Sequence, residues 1–186
     1  MSILPKEFYQ RDTVIVAKEL LGKKLVRRIG NYEMSGMIIE TEAYGYKNDP
    51  ASHAFQKITD RNRVMFEEVG MAYVYFTYGM HYCFNVVAKK SKTPAGAVLI
   101  RGISPEKGIR KMEKNRNMKN IKNMKNMTNG PAKLTQALEI TKEQYGADLT
   151  KKLKIYIENG LKIRKIKKST RVGIKDGKEM LWNFKI

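Results

Sequence analysis

The sequence predicts an α+β fold whose sheet is mostly antiparallel. Two pairs of β-rich segments are each joined by a short turn, the first at residues 24–29 and 32–43, the second at residues 71–77 and 81–88. Segments this close in the chain pair as antiparallel hairpins, because a parallel connection needs about a dozen residues or more. The helical patterns stand apart from the hairpins instead of alternating with strands, which disfavours a parallel α/β sheet.

The amino-terminal part of the chain predicts a helix followed by the first hairpin. Val14, Ala17 and Leu20 recur at helical spacing after Asp12 and Thr13, each of a residue type that caps helices, and Gly22 ends the pattern. The hairpin then turns at a Gly-Asn pair, which tolerates the positive φ angles of tight turns.

A long loop is predicted between the two hairpins. Residues 44–63 are polar, contain Gly, Asn, Asp and Pro, and show no sustained periodicity. Loops of this length are uncommon inside compact domains and are often functional. We therefore expect this loop to form a wall of a site.

The second half of the chain predicts further helices and short strands. Residues 96–103 form an apolar strand interrupted by Arg101, and residues 131–140 form a helix opened by a proline. Between them, residues 105–128 predict one helix that merges into a basic, low-complexity segment at residues 114–128. The remaining predicted strands are residues 153–157, 162–166, 170–174 and 181–184.

The chain carries a large positive charge. Its 186 residues include 37 Lys and Arg against 18 Asp and Glu, so the formal net charge is +19, while 42% of the residues are hydrophobic. This length and composition predict one domain, residues 1–186, with a sizeable core. The charge predicts a polyanionic partner, and by itself leaves nucleic acid, an anionic membrane surface and an acidic protein open.

The cysteine and histidine content argues against a disulfide-rich protein and against a zinc protein. The single cysteine, Cys83, excludes an internal disulfide framework, and two histidines are too few for the usual zinc clusters. The amino terminus lacks a signal-peptide layout, and no apolar stretch approaches the roughly 20 residues that span a bilayer. We expect a soluble intracellular protein of the cytoplasm or nucleoid, without a metal or other cofactor.

Two carboxylates stand out in an apolar strand. Glu40 and Glu42 are two residues apart, so the alternation of a strand places both on one face. Burying a carboxylate is costly unless it is paired or used, so at least one of them should line a cleft or meet an arginine. The spacing alone leaves a purely structural ion pair open.

The second hairpin places an aromatic residue at its turn. Tyr78 precedes Gly79, so a tight turn would lift its ring to the tip of the hairpin and away from the core. In a basic protein such a side chain is suited to insertion between base steps. Packing of Tyr78 against Met80 or the long loop is the alternative.

Three more side chains could stack on a nucleobase or hydrogen-bond to it: Tyr44, His53 and Tyr75. Each could equally belong to the core or to the surface. His53 has no second His or Cys at ligand spacing, so hydrogen bonding is a better role for it than metal binding. Cys83 is interpreted as a small buried apolar residue without a role.

The basic tract at residues 162–168 has two interpretations. Its cations favour a phosphate-binding surface, and they are also typical of an edge strand that lysines protect from aggregation.

The motifs in their order resemble the alkyladenine (3-methyladenine) DNA glycosylases. The resemblance covers nearly the whole chain, and eight motifs carry it together although no one of them would suffice. The motifs are ETEAY at 40–44, His53, RNRVMF at 61–66, YVYFTYGM at 73–80, Asn85, VLIRG at 98–102, GPAKLTQAL at 130–138 and RVGI at 171–174.

The resemblance implies a monomeric, metal-free enzyme with an open-barrel-like sheet, flanking helices and a protruding β-hairpin. Such an enzyme flips a damaged nucleotide out of duplex DNA and hydrolyses the bond between purine and deoxyribose. By match to the motifs, Glu42 resembles the carboxylate that activates water, and Arg101 the arginine near the water and the phosphate.

The resemblance also assigns the pocket. It implies that Tyr44, His53 and Tyr75 surround the flipped base, that Asn85 forms a floor that discourages normal guanine, and that Tyr78 intercalates. His81 departs from the family pattern behind the hairpin turn, and the basic segment at residues 114–128 matches no motif. The alternatives are a non-catalytic nucleic-acid-binding module on the same fold and a nuclease, for which Glu40 and Glu42 are thin support.

Overall fold

One curled antiparallel sheet dominates the computed structural model, which describes residues 2–118 and 126–186. Within these ranges the sheet has eight strands and forms a half-barrel. The strands are β1 (Lys24–Ile29), β2 (Tyr32–Tyr44), β3 (Ala72–Thr77), β4 (His81–Val87), β5 (Ala97–Lys107), β6 (Ile155–Glu158), β7 (Lys167–Ser169) and β8 (Asn183–Lys185). The α+β class and the mostly antiparallel, open-barrel-like sheet are confirmed.

The long strand β2 is the centre of the sheet. The strand order is β3-β4-β5-β2-β1-β6, so β2 lies between β5 and β1. Strand β1 pairs with the first half of β2 only. Along the same edge, the second half of β2 pairs with β8, which in turn pairs with β7. Strand β2 therefore contacts strands from both ends of the chain, and its second half carries the predicted acidic pair, Glu40 and Glu42.

Four α-helices flank the sheet in the described ranges: α1 (Lys6–Tyr9), α2 (Thr13–Leu20), α3 (Ile109–Asn115) and α4 (Pro131–Ala137). Of the two predicted caps, Asp12 is the one used: its side chain accepts hydrogen bonds from the backbone N–H groups of Val14 and Ile15, and α2 begins at Thr13. The Thr41 hydroxyl of β2 donates to the Ala17 carbonyl oxygen of α2 at 2.7 Å. This bond fastens the helix to the core face of the sheet.

The two faces of the sheet have different roles. Partners in antiparallel strands share a face, and the registers Val74↔Phe84, Val86↔Val98 and Thr41↔Phe184 follow the core face from strand to strand. The opposite face carries Tyr75↔Cys83, Asn85↔Leu99 and Glu42↔Asn183. These six core-face residues are all buried, whereas the opposite face carries a smaller hydrophobic cluster and borders an open cavity.

Both predicted hairpins are confirmed, and the long loop after Tyr44 contains no strand or α-helix before a 3-10 helix at Arg63–Phe66. Two boundaries differ from the prediction by three residues or more. Strand β5 continues through residues 104–107, of which 105–107 were assigned to a helical stretch. Helix α4 ends at Ala137 and not at residue 140, because the backbone of Glu139 turns to a φ of 49°.

Two predicted carboxy-terminal strands are wrong. Residues 162–166 form no strand, because Ile163 and Ile166 both pack against the core at a spacing of three residues, which an alternating strand cannot provide. Residues 170–174 turn instead, with a positive φ of 76° at Gly173. Of the predicted basic segment, residues 119–125 lie outside the described residues.

Candidate active site

A cavity of about 550 Å³ opens on the face of the sheet opposite the main core. Its volume lies within the range of about 300–1,000 Å³ that is typical of small-ligand pockets. Six of the seven predicted site residues line it, namely Tyr44, His53, Tyr75, Tyr78, Asn85 and Arg101. The seventh, Glu42, is completely buried directly behind this wall, next to Tyr44 and Arg101.

The register of the sheet explains why distant residues meet here. Asn85 lies opposite Leu99, and Leu99 lies opposite Glu42, so one face of three neighbouring strands carries this row. Strands β2 and β5 shift register on either side of Glu40, which pairs with Gly102 and leaves Arg101 unpaired. Alternation from Leu99 places the Arg101 side chain on the face that carries both glutamates, and the bulge changes only its pairing.

The Glu42 carboxylate accepts hydrogen bonds from four donors among the described residues. One oxygen, Oε1, accepts from the backbone N–H of Val172 at 2.7 Å and from the Asn183 amide at 3.0 Å. The other, Oε2, accepts from the Tyr44 hydroxyl at 2.8 Å and from the Arg101 guanidinium at 3.4 Å. Both oxygens of a carboxylate can accept hydrogen bonds in this way when the group is ionised.

The contact between Arg101 and Glu42 is the weakest of these bonds. At 3.4 Å it lies beyond the usual range of an N–H···O bond, so Oε2 is the oxygen with capacity for another partner. Arg101 directs its Nε to Glu40 at 3.1 Å. The sequence predicted that at least one of the two glutamates would line a cleft or meet an arginine, and Arg101 contacts both.

Aromatic side chains form one wall of the cavity. The rings of His53 and Tyr75 meet edge to face with centroids 4.7 Å apart, and Tyr73 lies 5.3 Å from Tyr75. The guanidinium of Arg61 lies 4.8 Å from the centroid of the Tyr75 ring. Burial raises the pKa of Tyr73 and of Tyr75 far above the ordinary value, so both remain phenols.

The wall is neutral at His53 as well. Burial, followed by the charge of Arg61, lowers the pKa of the His53 imidazole to about 4. Its Nδ1 lies 2.7 Å from the Tyr73 hydroxyl. The sequence analysis missed both Tyr73 and Arg61, although both lie inside the quoted motifs.

We expect His53 to stay neutral between about pH 8 and pH 5 in the free protein, because its lowered pKa favours the uncharged ring above about pH 4. Proton NMR of the imidazole Hε1 signals would measure this. The chain has two histidines, so the H81Q variant assigns the His53 signal. A His53 titration centred near 6.5 would contradict the expectation.

Arg171 lies behind Tyr44 and was not foreseen as a site residue. Its guanidinium forms two bonds of 2.7 Å to the carboxylate of Asp49, and both side chains are completely buried. The same guanidinium lies 4.8 Å from the centroid of the Tyr44 ring and 5.3 Å from that of Trp182. Asp49 also accepts from the backbone N–H of Gly45, so this ion pair fixes the long loop against the carboxy-terminal segment.

Replacing Asp49 with asparagine is expected to lower the free energy of unfolding by about 3–5 kcal/mol, because Arg171 would keep a buried charge without its partner. Urea denaturation would show a lower midpoint at an unchanged slope. The D60N variant is the control, since Asp60 is exposed. Equal midpoints for D49N and D60N would contradict the expectation.

Asn85 and Cys83 lie on neighbouring parts of the cavity wall. The buried amide of Asn85 donates to the Tyr73 carbonyl oxygen at 2.9 Å, which fixes the orientation of its side chain. Cys83 is a free cysteine, and burial raises the pKa of its thiol. Its environment agrees with the interpretation of a small buried residue.

The tip of the second hairpin projects Tyr78 into solvent. Its side chain is 85% exposed, and the neighbouring Met80 is 69% exposed. Tyr78 and Gly79 both have positive φ, 52° and 66°, as tight hairpin turns require. A tyrosine in this conformation is strained, which is typical of functional positions.

Comparison with known proteins identifies the family. Residues 7–186 match the family described as "Methylpurine-DNA glycosylase (MPG)". The chain belongs to the methylpurine-DNA glycosylase family. The resemblance inferred from the motifs is thereby confirmed for nearly the full chain.

Similar proteins occur in several organisms. A protein of Carboxydothermus hydrogenoformans named "Putative 3-methyladenine DNA glycosylase" is 47% identical over 184 residues, which cover 98% of this chain and 94% of that protein. A Clostridium acetobutylicum protein of the same name is 45% identical over 193 residues, covering 98% and 93%. One from Methanocella arvoryzae is 42% identical over 174 residues, covering 94% and 86%.

The family and the names of these relatives support a DNA glycosylase role in the repair of alkylated DNA. DNA is accordingly the polyanion that the positive charge of the chain fits best. Within residues 2–118 and 126–186, none of the helices has the length and apolar character needed to cross a bilayer. The same residues contain no group of three or more His, Cys, Asp or Glu suited to a metal ion.

Proposed function

We propose that this glycosylase flips a damaged purine nucleotide out of duplex DNA and hydrolyses its N-glycosidic bond with water, leaving an abasic site. The observation that carries this proposal is the aromatic cavity with an ionised carboxylate, Glu42, directly behind its wall. The aromatic side chains suit a nucleobase, and the carboxylate suits a reaction in which positive charge develops on a sugar.

Binding to the duplex starts with charge. A net charge of +19 provides phosphate binding that is independent of sequence and weakens as salt rises. Tyr78, at the exposed tip of the hairpin that borders the cavity, then enters the base stack in place of the flipped nucleotide. Damaged or mispaired bases are extruded more readily, which contributes to selectivity.

The cavity wall holds the flipped base. The Tyr44 ring stacks on one face of the base, supported from behind by the Arg171 guanidinium. With the Tyr73 hydroxyl donating to Nδ1 of His53, the neutral imidazole carries its proton on Nε2 and can donate it to an acceptor on the base. The fixed amide of Asn85 discourages purines with a bulkier exocyclic group, such as guanine.

The chemical step uses Glu42 to orient and deprotonate water. A water molecule entering between Tyr44 and Arg101 meets Oε2, the oxygen whose contact with Arg101 is long. A purine with a fixed positive charge already leaves readily, so one carboxylate is sufficient. General-base assistance of this kind contributes about 10²–10⁴-fold.

Water is the attacking group in this proposal, and the product is an abasic site without a strand break. The side chain of Lys175 also borders the cavity, so an amine is within the same region. Trapping with borohydride distinguishes the two mechanisms, because only an amine forms a reducible Schiff base. A covalent protein–DNA complex that disappears in the K175A variant would overturn the water mechanism.

The experiment that tests the proposed function identifies the released base. Duplexes carrying 3-methyladenine, 7-methylguanine, hypoxanthine or ethenoadenine are incubated with the protein in EDTA, and free bases are separated by chromatography. We expect a free purine from at least one duplex, and strand breaks only after alkali. Tight binding without release would favour the non-catalytic module, and breaks before alkali would favour a nuclease.

A further inference from the structure

Two carboxylates in this site share the same two donors. Arg101 donates from Nε to Glu40 at 3.1 Å and from Nη1 to Glu42 at 3.4 Å. The Asn183 amide donates to Oε1 of Glu40 at 2.8 Å and to Oε1 of Glu42 at 3.0 Å. Glu42 is assigned to the chemistry, whereas Glu40 has no part in the proposed reaction.

We propose that Glu40 is a positioning residue that holds Arg101 away from Glu42 and so keeps the Glu42 carboxylate available to water. This inference rests on the proposed function, because it requires Glu42 to be the group that activates water. Glu40 itself does not contact the substrate. It acts through the direction in which it holds the guanidinium.

The geometry of the arginine supports this role. A guanidinium next to one carboxylate usually forms two parallel bonds of about 2.7–2.9 Å with it. Arg171 and Asp49 show this arrangement in the same protein, with both bonds at 2.7 Å. Arg101 instead divides its N–H groups between Glu40 and Glu42, and its contact with Glu42 is long.

Loss of the negative charge on Glu40 would change this balance. The Arg101 side chain is only 12% exposed, so its charge is poorly screened and would favour the remaining carboxylate, Glu42. A close bidentate pair would occupy Oε2, the oxygen that water needs. Arg101 would then oppose catalysis instead of assisting it.

The balance of charge among Glu40, Glu42 and Arg101 also supports a role for Glu40. In the ion pairs of the described residues, Glu40 and Glu42 share the guanidinium of Arg101, while the nearby charge of Arg171 is paired with Asp49. The two carboxylates therefore outnumber the guanidinium that pairs with them, which favours a sugar that becomes positive in the transition state. Without the charge of Glu40 this excess disappears.

The experiment compares E40Q, E40D, E42Q and R101Q with the double variant E40Q/R101Q on the duplex that releases most base. Single-turnover excision rates and DNA dissociation constants are measured for each. The matched control is E33Q, because Glu33 lies on the same strand and pairs with Arg28 and Lys107, remote from the cavity. Thermal unfolding checks that every variant is folded.

We expect E40Q to lower the excision rate about 10- to 100-fold, a part of the usual general-base contribution, with the DNA dissociation constant changed less than about twofold. E40D should recover part of the rate, and E33Q should match the wild type. In the R101Q background, adding E40Q should lower the rate less than about threefold, because Arg101 is no longer there to capture Glu42.

Two results would overturn the inference while leaving the proposed function intact. One is a wild-type rate for E40Q when E42Q is inactive. The other is an equal loss of excision rate when E40Q is added to the wild type and when it is added to R101Q. Such a result would indicate that Glu40 has a merely structural role, and it can be recognised even if E40Q unfolds more easily. A wild-type rate for E42Q would instead overturn the proposed function itself.

Discussion

Replacing Glu42 with glutamine is expected to abolish base release while the affinity for lesion-containing DNA stays nearly unchanged. The substitution preserves the size of the side chain, and its carbonyl oxygen can still accept from Val172 and Asn183. The amide group in place of Oε2 cannot accept a proton from water. We expect the single-turnover rate to fall by about 10²–10⁴-fold or more, which quantification of the free base would measure.

The E67Q variant is the control for this experiment, because Glu67 is exposed and lies outside the residues that line the cavity. Fluorescence anisotropy with a labelled duplex would compare the affinities of both variants. Excision by E42Q at the wild-type rate would remove the carboxylate from the mechanism. A large loss of affinity would instead indicate that Glu42 supports the shape of the cavity.

Replacing Tyr78 with serine is expected to impair flipping by about 10–100-fold without lowering the stability of the fold. The ring is exposed at the hairpin tip, so its removal sacrifices little packing within the free protein. Stacking on a base is worth about 1–3 kcal/mol, which corresponds to this loss in the flipping equilibrium. A fluorescent base analogue at the target position reports the flipped state.

Y32S is the matched control, since Tyr32 is also exposed but begins a different hairpin strand, β2. Y78G adds a second comparison, because glycine adopts the positive φ of this position without strain. It should bind and flip as poorly as Y78S while resisting urea at least as well as the wild type. An unchanged fluorescence signal in both tip variants would rule out insertion of Tyr78 into the base stack.

The parts of the fold that follow from short-range patterns could be predicted from the sequence. Both hairpins, the cap at Asp12 and the exposed tip at Tyr78 depend on residues close together in the chain. The boundary errors arose where long-range contacts override local preference. Residues 162–166 look like a strand by composition, but their two isoleucines reach the core at a spacing that no strand has.

The candidate site was predicted less completely than the fold. The motif resemblance pointed to the residues that line the cavity, but their roles are proposals that the experiments above test. Asn183 and Arg171 were missed because their contacts with Glu42 and Asp49 span more than a hundred residues of sequence. The sequence alone does not show that the charge of Arg171 is buried, because this requires knowing that Asp49 is its partner.

The bulge at Arg101 departs from any simple strand pattern. Regular alternation from Leu99 would place Gly102 on the other face, away from its partner Glu40. The same alternation places Arg101 on the face of Glu40, so their contact follows from the strand pattern, whereas the pairing of Glu40 with Gly102 does not. No periodicity in the sequence indicates a shift of this kind.

The division of the sheet into two faces has a consequence for how such an enzyme can diversify. The main hydrophobic cluster packs on one side of the strands. Cys83 and Leu99 on the other side line the cavity and belong to neither hydrophobic cluster, so a change at either alters the proposed base pocket and leaves that packing intact. Under the proposed function, we expect single substitutions there to change which damaged bases are released while the fold is kept. We expect a combinatorial library at these two positions to yield folded members with altered preferences.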